Sequence, residues 1–151
     1  MRGELNFILI FFFYGLAFFS MGLLVMLEGG RASDPGLRKA LRPLAAFGLL
    51  HAAHEWVEMY EIIAVSFGAE IPQWLAAVRL TILSFSFISL AAFGSFLIAR
   101  SETSQKYILI IPIIMEAIWV FGLLNLGGMY TGRELWATAD NWTRYSLAIP
   151  A

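Results

Sequence analysis

The chain has 151 residues, 60% of them hydrophobic and 14% charged, with a net charge of -1, whereas a soluble domain is about half apolar and a quarter charged. That excess of apolar side chains needs lipid, and a single domain covering residues 1–151 is expected at this length. The near-neutral balance gives no basis for nucleic-acid binding, and the absence of cysteine rules out disulfides and thiolate metal sites.

The first apolar run, residues 5–27, carries no charge and exceeds the roughly 20 residues that a helix needs to cross the hydrocarbon core. Its flanks, Met1-Arg2-Gly3-Glu4 and Glu28-Gly29-Gly30-Arg31, lack the basic start and small-residue cleavage site of a secretory signal, so a retained anchor is expected. A second span is expected over residues 43–67, entered through Pro43 and closed by Gly68. After a short turn over residues 68–72, a third runs over 74–98. The fourth covers 107–126, bent at Pro112 and stopped by Gly127-Gly128.

Residues 127–143 read as a loop ending in Asp140-Asn141-Trp142-Thr143, capping chemistry for a fifth helix that begins at about residue 142. Since the few residues left cannot cross a bilayer, the gene product is expected to continue past Ala151; the alternative is a short tail lying in the outer interface. The predicted fold is therefore an all-α integral membrane bundle of four spanning helices plus the start of a fifth. Basic residues mark cytoplasmic loops. Arg31, Arg38, Lys39 and Arg42 separate the first two spans, and Arg100 and Lys106 the next pair, which places the N-terminus outside. Trp74, Tyr130, Trp136 and Trp142 then fall at the outer edge, where amphipathic rings favour the headgroups. Gly15, Ser20 and Gly22 in the first span, and Ser84, Ser86, Ser89, Gly94 and Ser95 in the third, permit close helix packing.

His51, His54, Glu55 and Glu58 recur at i, i+3, i+4 and i+7, so a helix aligns two imidazoles and two carboxylates on one face. Charged groups at membrane depth turn inward, pair or neutralise. The helical rise puts Glu116 at the level of His51, and Arg79 at the level of Glu58 and Glu61. Glu55, Glu58, Glu61 and Glu116 outnumber Arg79, so charge balance requires protonated carboxyls, imidazolium or a bound cation.

Three readings compete. In one, His51, His54 and Glu116 only hydrogen-bond across helices. In the second, His51, His54, Glu55 and Glu116 hold a transition metal (zinc, iron or copper) or a haem. In the third, Glu58, Glu61 and Arg79 form a proton or ion-pair network in which His54 and Glu58 titrate. The chain has no phosphate-binding glycine loop, nucleophile elbow or kinase motif, so no catalytic residue is assigned.

The stretch Leu44-Ala45-Ala46-Phe47-Gly48-Leu49-Leu50-His51-Ala52-Ala53-His54-Glu55-Trp56-Val57-Glu58-Met59, with the earlier Phe13-Tyr14-Gly15-Leu16-Ala17-Phe18-Phe19-Ser20-Met21-Gly22, resembles the N-terminal multi-helix membrane regions of bacterial sensor histidine kinases and related signalling proteins. The likeness covers residues 11–60. It implies a sensory input module of seven or eight helices in the bacterial cytoplasmic membrane, followed by a histidine kinase or diguanylate cyclase output. This chain departs from the pattern in lacking the later helices and the output domain. The expected partners are the lipid bilayer, a second copy of the chain in a homodimer, and a cytoplasmic output domain. The rival expectation is a small transporter or ion-channel subunit that uses the same cluster as an ion path. A membrane enzyme with metal-activated water ranks after both.

Overall fold

A computed structural model describes residues 2–99, 107 and 109–151. These residues form five helices and no strand: α1 (Arg2–Gly29), α2 (Pro35–Ser66), α3 (Gln73–Ile98), α4 (Ile110–Met129) and α5 (Gly132–Thr143), which runs into a π-helical turn, Arg144–Ala148. Arg100 and Lys106 lie outside the described residues.

α2 begins eight residues before the expected Pro43 start. Asp34 adopts an extended conformation, and its carboxylate accepts hydrogen bonds from the Gly36 N–H at 2.9 Å and the Leu37 N–H at 3.3 Å, with Pro35 in the first helical position. That cap satisfies two of the free N–H groups of the first turn. The helix then runs through Pro43. Its other end closes at Gly68 as expected: Gly68, at φ +79°, donates to the Val65 carbonyl and Ala69 to the Ala64 carbonyl. This is the paired bonding of a glycine-terminated helix, in which the left-handed residue is one that L side chains rarely tolerate.

α3 matches the expected third span within a residue. In α4, Pro112 occupies the first turn, where its missing N–H is one that has no intrahelical partner, so the expected mid-helix bend is replaced by a helix start. Gly127 and Gly128 lie inside α4, which continues to Met129.

The largest departure is at residues 127–143. Instead of a loop, the chain turns at Tyr130 and Thr131, and α5 starts at Gly132 (φ +60°). Trp136, Ala139, Thr143 and Leu147 recur at helical spacing, and the last three are fully buried. α5 runs antiparallel to α4, with the Trp142 ring against Gly122 and the Trp119 indole donating to the Thr143 hydroxyl at 2.8 Å. Trp142 and Trp136 thus pack against the core while staying partly exposed. The segment is too polar on average to read as a buried helix, yet one face of it is apolar.

Consecutive helices are antiparallel. α1 packs on α2, where Gly22 faces Gly48 so closely that a Cβ on Gly48 would lie 2.8 Å from the Gly22 Cα. Small residues let the backbones approach, as in other membrane helix pairs. The buried α3 serines Ser86 and Ser95 donate to carbonyls of their own helix. The core joins Phe47, Leu83 and Phe87 of α2 and α3 to Met115 and Trp119 of α4 and Leu147 of the π turn. Outside it, α1, α3 and α4 are each long and apolar enough to cross a membrane. They expose large side chains such as Phe13, Phe85 and Phe121. An apolar surface of this extent matches lipid rather than water, consistent with a membrane protein.

Candidate functional site

The polar face of α2 turns inward against α3 and α5. Counting the helical rise from their shared end, Arg79 lies roughly 9 Å past the start of α3, Asp140 roughly 12 Å past the start of α5, and Glu58 roughly 12 Å before the end of α2. Three helices therefore deliver their charges to one level.

Arg79 is central there. Its guanidinium is hydrogen-bonded to Glu58 Oε1, while its Nε lies 3.6 Å from Glu61 Oε2 and its Nη2 lies 3.8 Å from Asp140 Oδ1. Arg144, one turn beyond Asp140, donates from Nε to Asp140 Oδ2 at 2.8 Å and places Nη2 3.8 Å from Glu58 Oε1. Two guanidiniums thus share three carboxylates. Arg79 is only 15% exposed, so these attractions are less screened than a surface pair would be.

Deeper in the bundle, the His51 ring is enclosed by Phe18, Phe47 and Phe87, with centroids at 4.4, 5.2 and 5.5 Å. Its Nδ1 is 3.1 Å from the Ser86 hydroxyl, which already donates its proton to the Leu83 carbonyl at 2.7 Å. With the hydroxyl donating to that carbonyl, its oxygen accepts from Nδ1 in the tautomer that carries the ring hydrogen there. The other nitrogen, Nε2, faces Glu55 Oε1 at 3.5 Å.

His54 lies between the two layers. It is 0% exposed, and neither ring nitrogen has a hydrogen-bond partner. Nδ1 faces Glu55 Oε1 at 3.6 Å and Glu58 Oε2 at 3.9 Å, both longer than a hydrogen bond. His54, Glu58 and Asp140 each offer one ligand atom within 4.8 Å of the others.

No protein-family model, curated protein or solved structure matches the chain.

Of the residues singled out in the sequence, His51, His54, Glu55, Glu58, Glu61 and Arg79 are brought together. Glu116 is not. Its carboxylate accepts from Ser84 at 2.9 Å and faces a groove lined by Pro43, Ala46, Ile88 and Pro112. Glu116 is about as far along the bundle as His51, but it sits on another side of α3. Asp140 and Arg144 were missed, because their segment reads as a loop. Their i, i+4 spacing of opposite charges was the available signal.

Around Arg79 and Arg144, the carboxylates of Glu55, Glu58, Glu61 and Asp140 leave an excess of two negative charges. In a protein interior that excess must be met by protons or by a cation. The arrangement can therefore take up positive charge at carboxylates that Arg79 and Arg144 also face.

Proposed function

We propose that the chain is the membrane-embedded sensory input domain of a bacterial signal-transduction protein, seated in the cytoplasmic membrane with α2 as a fourth crossing and the N-terminus outside. The observation that carries this reading is the charge-deficient cluster shared by α2, α3 and α5. Its occupancy sets the balance of forces on α5 and the π turn, the last described elements of the chain. A ligand shifts a conformational equilibrium only by binding one state better. Here, positive charge arriving at His54, Glu55 and Glu58 competes with Arg79 and Arg144 for the same carboxylates, which supplies that difference. π-helical turns concentrate at functional sites, and this one begins at Arg144. The resemblance over residues 11–60 to input regions of sensor kinases supports the same reading.

The parent gene tests it. Sequence beyond Ala151 is expected to encode further helices and then a kinase or cyclase domain whose activity changes in a Glu58→Gln variant. If only further spans follow, and proteoliposomes show an ion flux that Glu58→Gln abolishes, the chain is a transport protein and the proposal fails.

A further inference from the structure

His54 is buried in full, yet both of its ring nitrogens lack a hydrogen-bond partner. Burying an imidazole in this state is costly unless something else meets its lone pair. The two acids beside it are each only partly engaged. Glu58 turns Oε1 to the guanidiniums and Oε2 toward His54. Asp140 gives Oδ2 to Arg144, while its buried Oδ1 has no hydrogen-bond partner and lies 3.8 Å from Arg79 Nη2. Two carboxylates and an imidazole, from α2 and α5, thus each bring one potential ligand atom to one small volume, within 4.8 Å of one another. With Glu55 of the deeper layer counted, the carboxylates of the cluster exceed its guanidiniums by two.

We infer that His54, Glu58 and Asp140 form a binding site for one divalent first-row transition metal ion, with zinc the representative case. One imidazole and two carboxylate oxygens are a donor set that zinc accepts, and three protein ligands leave one position of a tetrahedral ion open. Donors about 2.1 Å from a tetrahedral ion lie about 3.4 Å apart, so groups now within 4.8 Å of one another close on the ion by up to about 1.4 Å, a distance that side-chain rotation covers. A divalent ion also cancels the residual charge. Glu116, assigned to the metal set from sequence, is replaced by Asp140. The inference names the ligand of the site on which the sensory reading rests.

The test uses the full chain, purified in detergent, stripped with a chelator and dialysed against zinc, with the metal measured by mass spectrometry and the melting temperature followed by circular dichroism. Wild type is expected to retain one zinc per chain and to show a chelator-reversible rise in melting temperature. Asp140→Asn, nearly isosteric and so compatible with folding, and His54→Ala should each weaken binding at least about tenfold, the lower end of what even outer-shell partners cost. Glu116→Gln should bind as wild type does. The site is refuted by substoichiometric metal in wild type, by retention in Asp140→Asn, or by loss in Glu116→Gln. If no metal binds while the parent gene carries an output domain, the metal site alone fails. If metal binds and no output domain exists, only the sensory reading fails.

Discussion

Replacing Arg79 with methionine removes the guanidinium that faces Glu58, Glu61 and Asp140 while preserving most of the side chain's apolar volume. At the observed 3.6 to 3.8 Å, a unit pair at an effective dielectric of 20 attracts by about 4 kcal/mol before desolvation is counted. Removing one partner of a buried pair typically destabilises by about 3 to 5 kcal/mol, because the remaining charge has no compensation. Arg144 still faces Glu58 and Asp140 in the variant, so the lower end, about 3 kcal/mol, is expected. The measurement is reversible unfolding in bicelles, followed by helical circular dichroism, for wild type, Arg79→Met, Glu58→Gln and the double variant. Glu58→Gln removes the acid that needs Arg79 most, so the double variant should be destabilised by less than the two single changes together, with a coupling of about 2 kcal/mol. A loss below about 1 kcal/mol for Arg79→Met, or coupling below about 0.5 kcal/mol, would contradict the reasoning.

Two further changes test the packing that delivers the cluster. Gly48→Leu drives a side chain into the Gly22 backbone of α1 and should cost about 1 to 3 kcal/mol, read in the same unfolding assay; wild-type stability would show that α1 and α2 do not cross there. Trp142→Ala empties the space against Gly122 and removes the indole hydrogen bond to the Trp119 carbonyl at 3.1 Å. A loss of about 3 kcal/mol is expected, with faster amide exchange over residues 132–148, and unchanged exchange would mean that α5 is held by something else.

How much was legible in the sequence depended on what each segment had to satisfy. The spans over residues 5–27 and 74–98 were readable because a long apolar run has few alternatives, and they correspond to α1 and α3 within a few residues. The start of α2 was misplaced because Pro43 carries a stronger conventional signal than the Asp34 and Pro35 cap, which lies in a polar stretch. The cluster on α2 followed from spacing alone, and the level of Arg79 from helical rise. Rise sets depth but not direction around the bundle, which is why Glu116 was assigned to a site it does not join. Asp140 and Arg144 were lost with the misread loop: in α5 only about one residue in three faces the core, too few to dominate a hydropathy average.

The central claim is that lipid covers the outer faces of α1, α3 and α4 while the polar face of α2 is held inside. The cysteine-free chain allows a clean test with single cysteines at Phe13, Phe85 and Phe121, all exposed in the structure, and at Asp34 and Ala69 in the turns. With a membrane-impermeant maleimide applied to both sides of native membranes, the turn positions should label and the three phenylalanine positions should not. Equal labelling at all five would mean that water, not lipid, bathes these helices.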